Sequence, residues 1–210
     1  MPIHISDQNW ILQTSRTAYV LGMNNSGDLI HRYWGPRLQS DDDYPSATNF
    51  SAWASFNGPG QLNAVEYPVY AGSSYVEPCL KATQTDGTRD TVLRFVSSHA
   101  DGDSLRLVLR DAAYAVTVTL YYRLYEAYDL IERWVELRND GHESISLERI
   151  LSACWHMPRG GRYRLGHLTG KWFDEWIPQR EPLTSGVKVL DSRRITTSHH
   201  HNPYWTLDEN

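Results

Sequence analysis

The sequence predicts an all-β protein, a large antiparallel β-sandwich with few short helices, on three observations. Apolar residues alternate with a period of two through the middle of the chain. Turn signals built from Asn, Asp and Gly recur between those stretches. No segment carries a strong stripe at the 3.6-residue spacing of a helix.

Near the start, "WILQT" (10–14), "TAYVLGM" (17–23) and "DLIHRYW" (28–34) read as a short meander, the last two joined by the turn "NNSGD" (24–28). Residues 36–66 lack periodicity and are rich in Ser, Asn, Asp, Gly and Pro. A long loop of that kind is usually functional or disordered, and its aromatics favour the first. "TDGT" (85–88) and "ADGD" (100–103) mark two further turns. "SLRLVLR" (104–110) then puts Leu105, Leu107 and Leu109 on one face, and "AVTVTLYYRLY" (115–125) does the same with Val116, Val118, Leu120, Tyr122 and Leu124.

In "DLIERWVELRN" (129–139), Ile131, Val135 and Leu137 point inward and Glu132, Trp134 and Glu136 outward; Arg133 is the one break on the apolar side. After the turn "NDGHE" (139–143), "SISLERILSACWH" (144–156) is apolar enough for a buried strand of a large sheet, with a short helix around "LERILSAC" as the alternative. "RGG" (159–161) marks one more connection.

Composition narrows the function classes. The net charge of -5 is dispersed over the 210 residues, so no field is built for phosphates or anionic lipid, and neither nucleic acid nor membrane is an expected partner. No stretch approaches the roughly 20 apolar residues that span a bilayer, and the opening "MPIHISDQNW" has no basic region before an apolar run; a soluble cytoplasmic protein is expected. Cys79 and Cys154 sit in apolar contexts and read as two buried free thiols. With 8 Trp and 13 Tyr against 4 Phe, the aromatics carry polar handles suited to half-apolar, hydrogen-bonding surfaces such as sugar clefts.

The run "HHH" (199–201) offers two histidines on one strand face, about 6.6 Å apart, with His156 or His167 as a third metal ligand that nothing in the spacing places nearby; no metal and no cofactor are expected. Glycosidase chemistry needs two carboxyl groups flanking a bond. Glu132 and Glu136 share a strand face but lie roughly 13 Å apart, and Asp174 and Glu175 point opposite ways. Asp41, Asp42 and Asp43 read as a solvated acidic run, and no nucleophile elbow, phosphate loop or dinucleotide fingerprint occurs. Trp34 and Trp172 read as packing residues at sheet margins, with sugar stacking as the other reading; Trp53 and Asn57, in the loop, suit stacking and hydroxyl recognition best.

Six segments in order resemble the N-terminal domain of glycoside hydrolase family 36, the bacterial-type α-galactosidases. They are "GDLIHRYWG" (27–35), "EYPVY" (66–70) with "YVEPCLKATQTDGTRDTVLRFVS" (75–97), "YDLIERWVELRNDG" (128–141), "ISLERILSACWHMP" (145–158), "LTGKWFDEWIPQREPL" (168–183) and "DSRRITTSHHHNPY" (191–204). The resemblance implies a single galactose-mutarotase-like supersandwich over residues 1–210. It would precede a (β/α)₈ barrel, which carries both catalytic aspartates, and a C-terminal β-domain, neither of them in this chain. It implies a non-catalytic domain that supports its own barrel, assembles into a homo-oligomer, a tetramer in the family, and shapes the active-site mouth of an enzyme that hydrolyses terminal α-galactosides of the melibiose and raffinose type with retention. The loop at 36–66 would reach a neighbouring subunit's active site, with Asp43, Thr48, Asn49, Trp53 and Asn57 as candidate sugar contacts. Structural roles fall to Tyr33, Trp34, Gly35, Glu66, Tyr67, Pro68, Trp172, Arg193, Arg194, His199 and Asn202; His199 and the arginine pair would hold the last strand by hydrogen bonds. A free-standing carbohydrate-binding module and an aldose mutarotase using His156 or His167 are the competing functions.

Overall fold

The computed structural model describes residues 2–48, 63–70, 76–158, 160–193 and 200–209. The chain divides into two compact units, Met1–Met157 and Pro158–Asn210. Among the described residues, regular structure is almost entirely antiparallel strand, and no helix is long and apolar enough to cross a membrane.

Among the described residues the first unit holds ten strands. β1 (Ile3–Ser6), β2 (Asn9–Gln13), β3 (Thr17–Met23) and β4 (Leu29–Pro36) form one four-stranded meander. β5 (Leu80–Thr83) forms a two-stranded ladder with β10 (Ser146–Ile150) and a single bridge to Val69, while β6 (Leu93–Asp101), β7 (Ser104–Asp111), β8 (Val116–Tyr125) and β9 (Leu130–Asn139) form a second four-stranded meander. The two meanders share one core: Trp10, Leu12, Tyr19 and Leu21 from the first, and Leu105, Leu107, Leu109, Val118, Leu120, Tyr122 and Leu124 from the second. That is a sandwich, and it follows from the alternation, because a strand with every second residue apolar can bury only one face. The "ADGD" turn closes β6 on β7 through the pair Asp101↔Ser104, with Gly102 at φ 59.

β3 is buried on both faces. Tyr19 and Leu21 enter the shared core, whereas Ala18 and Val20 join Ile11 and Tyr44 in a second cluster on the other side of the sheet. Residues just after β4 supply that cover, and they begin the long aperiodic segment.

The segment 144–156 departs from expectation. Only Ser146–Ile150 is strand, it lies in a two-stranded ladder, and no helix forms. Leu147, Ile150 and Leu151 are exposed, and only Cys154 and Trp155 pack against the core. An apolar run reports a tendency to be covered without saying by what; here the backbone turns inward only after Leu151.

The second unit is a three-stranded antiparallel sheet, ordered β12-β11-β13, of β11 (Tyr163–Lys171), β12 (Asp174–Pro182) and β13 (His201–Glu209). Trp172 and Phe173 form the β11–β12 turn, 71% and 88% exposed, with Phe173 at φ 67. Trp172 lies beyond the last ladder pair of this sheet, Lys171↔Asp174, with its ring edge-on to that of Phe173.

Candidate functional site

The aperiodic segment is held at both ends by different chemistry. At its start, Tyr44 is buried against β2 and β3, and its hydroxyl accepts from Gln13 Nε2 at 3.2 Å and from the Leu38 amide at 3.1 Å. Arg32 on β4 donates to the carbonyls of Pro45 and Tyr44, at 2.5 and 3.3 Å, and to Asn9 Oδ1 at 2.8 Å. Gly22 permits that approach, since a Cβ there would lie 2.7 Å from Arg32 Cδ.

The acidic run forms a 3₁₀ turn, Asp41–Asp43, exposed as expected but organised. Ser40 and Asp43 cap each other, the Ser40 amide donating to Asp43 Oδ2 at 3.1 Å, and His4 meets Asp41 at 2.8 Å. Asp43 is thus engaged as a cap. Thr48 is exposed, and Asn49, Trp53 and Asn57 lie outside the described residues.

At the far end, Val65 bridges to Ile30, the His31 amide donates to the Ala64 carbonyl at 2.7 Å, and Glu66 enters the core. Glu66 is fully buried, an expensive position for a carboxylate, and three strands meet on it. Tyr122 from β8 donates to Oε1 at 2.7 Å, Tyr19 from β3 donates to Oε2 at 2.8 Å, and Arg133 from β9 lies 2.7 Å from Oε1. Arg133 also donates to the Glu66 carbonyl at 3.0 Å and to the Cys154 carbonyl at 3.4 Å, and its guanidinium lies over the rings of Tyr122 and Trp155. Three donors converge on the carboxylate, an arrangement that favours its charged form. Burial pushes the Glu66 carboxyl above the ordinary range, and Arg133 and the two tyrosine hydroxyls pull the other way. Burial, then the neighbouring Glu66 charge, pushes both tyrosines well up.

Around this hub, His31 stacks on His156 and meets the Tyr19 ring at a tilt, and His156 Nε2 lies 3.0 Å from the Val65 carbonyl. Burial, then the charges of His156 and Arg133, lower His31 to about 4. His156 is raised: burial opposes its charge, but Cys154 and the Val65 carbonyl outweigh that. The hub faces no solvent and cannot touch a substrate. What it does is mechanical: it ties both sheets of the sandwich to the root of the 36–66 segment.

The expected structural residues fall on both sides of this line. Trp34 packs on Tyr19 and Trp155, and Tyr33 covers Tyr44 and donates to the Pro36 carbonyl at 2.7 Å, where a Cβ on Gly35 would lie 2.8 Å from its hydroxyl. Tyr67 donates to the Leu151 carbonyl at 3.1 Å, and the Pro68 carbonyl receives the Cys79 amide at 2.8 Å. Arg193 is exposed beside Asp191, Asn202 is half-buried with no partner for Oδ1, and Arg194 and His199 lie outside the described residues. Arg133 was visible in the sequence as a break in an apolar face, but its partner, 67 residues away, was not.

Glu132 and Glu136 are exposed, each receiving a tyrosine hydroxyl, from Tyr125 at 2.9 Å and Tyr121 at 3.1 Å. His156 belongs to the first unit; in the second, the rings of His167 and His201 lie 5.2 Å apart, and His167 Nε2 is 3.3 Å from Glu181. Among the described residues no group of three or more His, Cys, Asp or Glu side chains is placed to hold a metal ion. A cavity of about 260 Å³ opens beside Tyr67 and Pro68, lined also by Leu29, Phe95 and Leu109, with Asp28 and Arg94 on its wall.

Comparison with known proteins adds a consistent set of likenesses. The family model described as the glycosyl hydrolase family 36 N-terminal domain matches residues 27–210. Alpha-galactosidase AgaA of Geobacillus stearothermophilus is 30% identical over 93% of this chain, which spans 30% of that protein's length. The crystal structure of alpha-galactosidase AgaB from the same organism superposes with a TM-score of 0.85 at 27% identity, covering 99% of this chain and 32% of that one. The galactosidase domain of the alpha-galactosidase-sucrose kinase AgaSK, an enzyme of Mediterraneibacter gnavus, gives 0.88 at 27% identity, with 99% and 32% covered.

Proposed function

The chain belongs to glycosyl hydrolase family 36 as its N-terminal domain, and on that premise we propose that it serves an α-galactosidase as a non-catalytic domain. It supports the catalytic barrel, takes part in homo-oligomer assembly and shapes the active-site mouth of a cytoplasmic enzyme that hydrolyses terminal α-galactosides of the raffinose and melibiose type with retention. The observation that carries the reading is coverage: nearly all of this chain matches less than a third of each α-galactosidase, leaving most of each enzyme for the chemistry.

The geometry fits that division. The core carboxylate is sealed and saturated, Asp43 is spent on a cap, and Glu132 and Glu136 are held by tyrosines on an outer face. Meanwhile the segment that bears the candidate sugar contacts is anchored at one end through Tyr44 and Arg32 and at the other through Glu66. Firm roots at both ends of the segment suit a positioning role.

The test is hydrolysis of an aryl α-galactoside by residues 1–210 alone and by a chimera in which they replace the matching part of AgaA. The chain alone is expected to be inert and the chimera active. Turnover by residues 1–210 alone would overturn the proposal, and measurable raffinose affinity of the isolated chain by calorimetry would favour a free-standing sugar-binding module.

A further inference from the structure

The two cysteines, 75 positions apart in sequence, are neighbours in the fold. Cys79 precedes β5 with its backbone fixed on both sides: its amide donates to the Pro68 carbonyl at 2.8 Å, and its carbonyl receives the Leu151 amide at 2.8 Å. Three residues beyond Leu151, Cys154 packs against the same core in which Cys79 is buried. Both are free. Their surroundings are unequal. Cys79 is 1% exposed, whereas Cys154 is half-buried and has His156 Nε2 at 3.7 Å from its sulfur and the Arg133 guanidinium against its own carbonyl.

We propose that Cys154 and Cys79 are a thiol oxidation site, in which a hydroperoxide reacts at Cys154 and Cys79 resolves the product to an internal disulfide. The Cys154 thiolate attacks one peroxide oxygen, the O–O bond breaks, and the departing hydroxide takes up a proton, leaving a sulfenic acid. The Cys79 sulfur then attacks the Cys154 sulfur and expels hydroxide, which leaves as water with the Cys79 proton. For hydrogen peroxide the balance is two thiols and one peroxide to one disulfide and two waters: the sulfurs lose two electrons and the peroxide oxygens gain them.

The division of labour follows from position. The accessible sulfur is the one beside the cationic groups, and reactive thiols sit in such partly exposed, electropositive places. The Cys79 thiol, with His156 and Arg133, draws Cys154 down to about 5 against the effect of burial. Cys79 is pushed up, by Cys154 first and by burial next, with Glu66 adding to the rise and Arg133 opposing it, so it keeps its proton until a sulfenic acid appears. Tyr67, which also faces Cys79, stays protonated because burial raises it.

A disulfide here would also act on the loop root. His156 would lose the Cys154 sulfur as a partner while still facing the Val65 carbonyl, one residue before Glu66.

The experiment treats reduced residues 1–210 with hydrogen peroxide and reads free thiols, intact mass and the melting midpoint. Both thiols are expected to disappear together, the monomer to lose about 2 Da reversibly with dithiothreitol, and the midpoint to rise by several degrees. With iodoacetamide at pH 6.5, Cys154 should react about tenfold faster than free cysteine, and His156→Gln should slow it. In Cys79→Ala, peroxide should leave Cys154 as a sulfenic acid captured by dimedone. Independent loss of the two thiols, added oxygen in place of an internal bond, a disulfide only between chains, or alkylation no faster than free cysteine would each overturn the proposal. The wild-type mass change decides the matter even if a variant fails to fold.

Discussion

Replacing Arg133 with methionine should destabilise the first unit far more than the loss of one surface arginine would. The side chain is 1% exposed and its partner Glu66 is completely buried, so water cannot take over for the missing cation. At an effective dielectric of about 20, two unit charges at about 4 Å attract by about 4 kcal/mol. The substitution also leaves the carbonyls of Glu66 and Cys154 without the donors they have at 3.0 and 3.4 Å. Breaking one side of a buried pair costs about 3–5 kcal/mol, and that is the loss expected in urea unfolding at pH 7. The stranded carboxylate gives a second signature. With its folded pKa raised further above the unfolded value, the proton binds more tightly to the folded state, so the deficit is greatest at neutral pH and shrinks as pH falls. The double variant Glu66→Gln with Arg133→Met removes both charges and keeps an acceptor for the tyrosine hydroxyls. It should recover to within about 2 kcal/mol of the parent, because a buried pair is often replaceable as a unit. A single substitution costing under about 1 kcal/mol, or a double variant costing the sum of its singles, would refute the account of a sealed ion pair.

Three further outcomes are expected. His31 has a folded pKa of about 4 against an unfolded value near 6.5, so between these values the unfolded chain binds the extra proton; stability present above pH 6.5 should fall by about 3 kcal/mol as pH drops to 4, and His31→Phe should remove that part of the slope in pH-dependent unfolding. Tyr44→Phe strips an acceptor from both the Leu38 amide and Gln13 Nε2, which should cost about 1–3 kcal/mol by urea unfolding and raise hydrogen exchange at Leu38; unchanged exchange would contradict the rooting of the loop. Phe173→Gly should raise stability by about 0.5 kcal/mol, because an aromatic residue at φ 67 with an 88% exposed side chain bears left-handed strain without compensating burial; a loss would show that the ring packs where the exposure says it does not.

The strands that period two announced are the ones found: Leu105, Leu107 and Leu109 on β7, Val116 to Leu124 on β8, and Ile131, Val135 and Leu137 on β9 all face the core. The "ADGD" turn falls where glycine at positive φ makes a two-residue loop cheap. These features are local, since alternation and turn chemistry act over a few residues and are written in adjacent letters. The segment 144–156 was misread for the same reason. Its apolar letters are real, but the number of strands beside it depends on the rest of the chain, and among the described residues β10 has only β5.

The site divides along that boundary. The family likeness and the weight placed on residues 36–66 came from letters alone, as did the oddity of Arg133 on an apolar face. What the letters could not contain is that Arg133, Tyr19 and Tyr122 converge on Glu66, or that Cys79 and Cys154, the latter beside His156, close on one core. Those are contacts between segments far apart in the chain. They arise only once two sheets close over one core, because a buried charge finds its partner by the register of strands that have no local knowledge of each other.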